Sequence, residues 1–185
     1  MTNINLTTAL TRLLSDTQLR SAYGIDRYRV AREMSIAQCD LEAFVALNLR
    51  DLEQQAQCLI DKRYYEVARL LPQTVKRLGS DAQVLFVKHA SFWPVGHRRH
   101  FIDAIEYCGY VHRSHPDKIV QAELIWLRFQ LSNRWLGIYR IVDIDPDGKK
   151  TMSVHLFVRL RNGEVRRRNF RLWPLLCRGH DADTR

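Results

Sequence analysis

Thr151-Met152-Ser153-Val154-His155-Leu156-Phe157-Val158-Arg159-Leu160-Arg161-Asn162-Gly163 is the stretch whose reading decides the fold. Its residues alternate in period two. Met152, Val154, Leu156, Val158 and Leu160 fall on one face, and Thr151, Ser153, His155, Phe157 and Arg159 on the other. That alternation predicts a strand, and Asn162-Gly163 directly behind it is a strong short-range hairpin signal. Upstream, 136–145 reads as a second strand joined through Pro146-Asp147-Gly148, and downstream 165–173 reads as a third. The result is a three-stranded antiparallel meander with two open edges. Three strands are marginal alone, so the sheet is expected to pack its Leu156 face against the helical lobe that precedes it.

Ahead of the meander the period is helical. Leu6, Leu10, Leu13 and Leu14 recur at three- or four-residue spacing, and Gly24 closes that region. Ser35-Ile36-Ala37-Gln38 has the form of a capping box, and predicts a long helix whose stripe is Leu41, Val45, Leu49, Leu52, Ala56 and Leu59. Tyr64, Val67, Ala68, Leu71, Val75 and Leu78 continue the pattern, interrupted at Pro72 and ended at Gly79. Ser80-Asp81-Ala82-Gln83 is a second capping-box signature, and Pro94-Val95-Gly96 separates its helix from one carrying Phe101, Ala104, Ile105 and Cys108. Residues 117–131 fit both periods, and the reading favours helix to about Arg128. The fold class is therefore α+β: an N-terminal helical lobe over 1–115 packed against a small C-terminal antiparallel β-meander in a lobe over 116–185, the two forming one compact unit.

A chain of 185 residues, 46% hydrophobic and 26% charged, can bury one respectable core. Its longest apolar stretches fall far short of the roughly 20 residues that cross a bilayer, and its start lacks a basic segment followed by an apolar block. A cytoplasmic protein without a membrane partner is the expectation. Cys39, Cys58, Cys108 and Cys177 form no Cys-x-x-Cys pair and read as reduced, buried thiols. Residues 150–185 carry nine basic groups against three acidic ones, so six of the nine net positive charges sit at the C-terminal end.

Motifs that carry chemistry are sparse. There is no Gly-x-Ser-x-Gly, no Gly-rich phosphate loop and no His-Glu-x-x-His. His97 and His100 share a helical face and His112 and His115 lie nearby, yet the neighbouring Cys, Asp and Glu make no recognisable metal motif, so no metal is expected in this chain. Asp143-x-Asp145-x-Asp147-Gly148 has the start of a calcium loop, but the position that needs a bidentate Glu is Val154. Arg166-Arg167-Arg168 with Phe170 and Trp173 could hold phosphates and stack on bases, although alternating Arg also keeps an open sheet edge from aggregating. Nucleic acid is the less favoured reading. An open edge can instead take a peptide as an added strand through main-chain hydrogen bonds, with no catalytic group needed.

Leu71-Pro72-Gln73-Thr74, Leu78-Gly79, His89-Ala90-Ser91-Phe92-Trp93-Pro94, Gly96, His100 and Asp103-Ala104 together resemble the MbnC-type methanobactin-biosynthesis proteins. These are helical partner subunits of iron-dependent, TIM-barrel-like peptide-modifying oxidases. The resemblance covers about residues 10–110, and the order of helical lobe then sheet agrees beyond. It implies a heterodimer in which the iron belongs to the oxidase and no cofactor to this chain, which is then an accessory subunit and not an enzyme. The oxidase converts cysteines of a ribosomal precursor peptide to oxazolone and thioamide groups for a copper chelator, and the sheet receives the precursor's leader. On this picture the leader pairs with the 136–145 edge, at Ile138, Tyr139, Ile141, Asp143 and Asp145, where the carboxylates attract a basic leader and Arg166, Arg167 and Arg168 on the other edge repel it. The oxidase contact falls on Phe92, Trp93, His97, Arg98 and His100, because aromatic and Arg side chains dominate interface hot spots, the competing reading being that Phe92 and Trp93 are core, which is favoured for Phe92. The rival reading is a basic nucleic-acid-binding or regulatory domain, and an autonomous metalloenzyme using His97, His100, His112 and His115 comes third.

Overall fold

In a computed structural model the described residues are 3–90, 98–144 and 150–172, without the side chains of 143, 144, 150, 171 and 172. The chain is α+β, with helices α1 (Leu6–Ser15), α2 (Thr17–Ile25), α3 (Arg27–Glu33), α4 (Leu41–Val45), α5 (Leu49–Leu70), α6 (Pro72–Leu78), α7 (Asp81–His89), α8 (Arg99–Ser114) and α9 (Lys118–Leu131), then strands β1 (Leu136–Ile144), β2 (Lys150–Arg159) and β3 (Val165–Leu172). No described helix is long and apolar enough to cross a membrane. Two compact units interleave in sequence: one takes the chain through Arg69 and again Leu78–Asp103, the other takes Leu70–Arg77 and everything from Ala104 onward.

The first unit is helical. Asp16 interrupts the Leu6–Leu14 stripe because its carboxylate accepts from the Gln18 and Leu19 amides at 2.9 and 3.0 Å, so α2 starts afresh there. The expected capping box at Ser35 does not form. Ser35 has a positive φ of 55°, its carbonyl accepts from Ile4 N–H at 3.0 Å, and Ile36 bridges Ile4 in parallel. Asp40 in turn accepts from Leu6 N–H at 2.9 Å, so the segment serves the start of the chain instead of starting a long helix. Leu41 and Val45 belong to the short α4, and the long helix begins only after Asn48, whose side chain accepts from Arg50 N–H. The core gathers Ala9, Leu13, Tyr23, Val30, Phe44 and Leu52. Tyr23 meets Phe44 edge-on at 5.3 Å and donates its hydroxyl to the Phe44 and Leu47 carbonyls, and burial raises its pKa.

Pro72 and Gly79 act as the sequence indicates. Pro72 is the first residue of α6, where its missing N–H costs nothing, and Gly79 leaves the helix with φ +57°. Ser80 stands at the start of α7 but makes no side-chain cap.

The second unit holds the sheet, ordered β1-β2-β3 and antiparallel throughout. The Asn162-Gly163 turn closes as read: Gly163 takes φ +83°, Leu160 N–H bonds Glu164 C=O at 2.8 Å, and Asn162 Oδ1 accepts from Glu164 N–H. The buried face is the opposite of the expected one. Phe157 is fully buried and His155 nearly so, whereas Leu156, Val154 and Val158 are only half-buried. The reason is α9, which places Trp126 and Phe129 at 5.5 and 5.3 Å from the Phe157 ring, with Tyr139 at 5.5 Å on the sheet side. Four rings bury more apolar surface than a Val/Leu ladder offers. Gly137, paired with Phe157, leaves no room for a side chain, since a Cβ there would stand 2.7 Å from the Tyr139 ring and 2.8 Å from the Phe129 ring.

Candidate functional site

β1 is an edge strand, hydrogen-bonded to β2 on one side and with no strand on its other side among the described residues. Its backbone carries the unpaired donors and acceptors that an added peptide strand would use. Four contacts hold it in place. Gly137 admits the close approach of α9, Tyr139 lies half-buried against Phe157, and Ile141 is 2% exposed and packs inward. The fourth is Arg159 at the end of β2, which donates to the Phe129, Gln130 and Ser132 carbonyls at 3.0–3.1 Å and lies over the Phe129 ring. A cation at these C-terminal carbonyls answers the negative end of the helix and ties the sheet to α9.

The residues chosen from sequence are therefore divided. Ile138 is 66% exposed on the outer face and Tyr139 is partly available, while Ile141 offers its backbone only. Asp143 is a β1 residue paired with Thr151, and Asp145 lies outside the described residues. Arg140, not chosen, is exposed between Ile138 and Val142. Of the docking set, Phe92, Trp93 and His97 also lie outside the described residues. Arg98 and His100 are exposed at the start of α8, with φ +63° at Arg98 and the His100 ring 5.1 Å from Phe101. His112 is half-buried and His115 exposed; no group of three His, Cys, Asp or Glu suited to a metal occurs among the described residues.

Behind the edge lies a polar cluster that the alternation had assigned to solvent. His155 Nε2 is 3.1 Å from Ser153 Oγ, and Arg167 reaches His155 Nδ1 at 3.2 Å. Arginine has donors only, so Nδ1 accepts, the proton sits on Nε2, and His155 donates to the serine. This polarity is the reverse of what activates a serine, whose base must accept the hydroxyl proton. Burial, and then the Arg167 charge, hold the imidazole pKa below its usual value and keep the ring neutral. Arg167 itself is pulled down by burial, an effect that Glu123 opposes.

Glu123 is the other group missed in sequence. A lone carboxylate inside the apolar run of α9, it is 5% exposed and accepts from the Gln73 and Thr74 amides at 2.9 and 2.7 Å, capping α6 from another helix. Cys108 sits near it, donating to the Val120 carbonyl, its pKa pushed up to about 12 chiefly by burial. It is a buried thiol with no thiolate character at neutral pH, whereas Cys39 and Cys58, expected to be buried, are exposed.

In the first unit, Arg63 grips Asp103 with two bonds of 2.9 and 2.8 Å and bonds the Ala90 carbonyl at 3.1 Å. Leu71, Thr74, Ala90, Asp103 and Ala104 are all at most 4% exposed. The described residues that carry the family resemblance thus include many that build cores and helix starts. Comparisons with family models, curated proteins and solved structures give no match.

Proposed function

We propose that this chain is the non-catalytic, peptide-binding subunit of a cytoplasmic iron-dependent oxidase complex. It binds the leader of a ribosomal precursor peptide and presents the core cysteines to a TIM-barrel-like partner for conversion to oxazolone and thioamide, as in methanobactin-type copper-chelator biosynthesis. The observation that supports this most is the β1 edge: a strand nine residues long, anchored from behind by Phe157, Gly137 and Arg159, with one side open and Ile138 exposed along it. A leader added there gains a main-chain ladder, and its tethered cysteines gain effective concentration at a separate active site. The reversed Ser153–His155 polarity and the protonated Cys108 thiol fit a chain that contributes binding and leaves the chemistry to its partner. The iron belongs to the oxidase.

The rival, a basic nucleic-acid-binding domain, draws on exposed Arg140, Arg166, Arg168 and Phe170. Co-expression with the candidate oxidase, purification through a tag on this chain, and assay of iron and of oxidation of a Cys-containing precursor separate the two. An iron-bearing complex whose turnover needs this chain, and which Ile138→Asp impairs, supports the subunit. Recovery of the chain alone with nucleic acid that salt strips steeply supports the rival.

A further inference from the structure

The outer face of the sheet has its own composition. Register places Leu136, Val158 and Arg166 in one row, Ile138, Leu156 and Arg168 in the next, and Arg140, Val154 and Phe170 in the third, with Val142 and Met152 beyond. Ile138 is 66%, Val142 46% and Phe170 51% exposed, around half-buried Val154, Leu156 and Val158. Arg140 and Arg168 are exposed and make no ion pair among the described residues, and Arg166 meets only the exposed Glu164. The face is an aliphatic strip bordered by guanidinium groups.

We infer that this face docks one amphipathic helix of a partner protein, with an apolar stripe along its centre and carboxylates along its flanks. Four arguments choose that occupant. Seven residues of strand span about 23 Å and three strands about 14 Å across, room for a single helix about 10 Å wide and about 15 residues long. The inner face is already covered in this way by α9, so a helix on the outer face completes the layer arrangement a small sheet favours. The border is cationic, so acidic flanks are attracted, while a second copy of this chain would set arginines against arginines. The aliphatic centre offers bases little to stack on, Phe170 being its one aromatic among the described residues. This surface shares Ile138 with the β1 edge but is built from side chains, whereas a strand added to β1 uses the main-chain groups of that edge.

The test uses the full chain and two fluorescein-labelled synthetic 15-residue helices with the same leucine stripe, one flanked by glutamates and one by lysines. Fluorescence anisotropy at low salt is expected to show the glutamate helix binding at least tenfold more tightly. Phe170→Glu and Arg168→Glu each weaken it at least fivefold, and Arg168→Glu narrows the preference over the lysine helix. Both positions are exposed, so unchanged thermal unfolding is expected to show that the variants remain folded. Equal binding of the two helices, no binding of either, or binding indifferent to both variants would overturn the inference. So would concentration-dependent self-association lost in Phe170→Glu, or preferential binding of phosphatidylglycerol vesicles or an oligonucleotide through the same two residues.

Discussion

The two faces of the three-stranded sheet are built from one alternation and meet opposite surroundings. Inward, Phe157, Ile141 and His155 are buried, with α9 rings packed on Phe157; outward, Ile138, Val142 and Phe170 remain in contact with water. Both faces contain β-branched and aromatic residues, so hydrophobicity does not separate them. Ring geometry does. The inner face gathers three rings and a glycine gap around Phe157, which rewards close packing, whereas the outer face is an even strip edged by charge. A residue's neighbours across the layer, more than its own polarity, decide which face is core.

That contrast can be broken most strongly at its centre. Phe157→Ala is expected to lower stability by about 3–5 kcal/mol in urea unfolding, while Leu156→Ala beside it costs roughly 1 kcal/mol or less. Equal losses would mean that both faces are core. Gly137→Ala should cost about 1–3 kcal/mol because the new methyl meets the Phe129 ring; a neutral outcome would show that α9 yields there.

A third experiment reads the polar part of the inner face. Burial and Arg167 hold the His155 pKa below the roughly 6.5 of a free imidazole, so below that pH the unfolded chain takes up the proton first. Stability then falls as pH drops from about 6.5 towards the folded-state pKa, levels below it, and is untouched by this group above 6.5. Unfolding curves at pH 7.5 and 5.5 should show a smaller acid loss in His155→Gln, and an identical loss would remove His155 from the account. The smallest effect is expected outside: Phe170→Glu should change stability by no more than about 0.5 kcal/mol, since its side chain is already half in water.

Some of this was legible in residue order. Pro72 fixes the start of α6 because it lacks an N–H, Gly79 ends it because it accepts positive φ, and Asn162-Gly163 closes the hairpin for the same reason. The three strands and their order follow from period two and short turns, and the edge character of β1 follows with them. Local rules failed where a distant partner intervened. Ser35 has the pattern of a cap, but the Ile4 amide takes its carbonyl, and Asn48 becomes the cap that counts. Glu123 is unremarkable until α6, fifty residues earlier, presents two bare amides to it.

Sequence by itself determined the three strands, the bounds of α6, the turn residues and the edge position of β1, because backbone sterics and side-chain period act over a few residues. Only the tertiary structure decided which side of β2 is buried, that His155 faces an arginine and a serine, and that a carboxylate on α9 starts α6. Those outcomes depend on shapes and charges brought together from far along the chain, and no period within a single strand or helix encodes them.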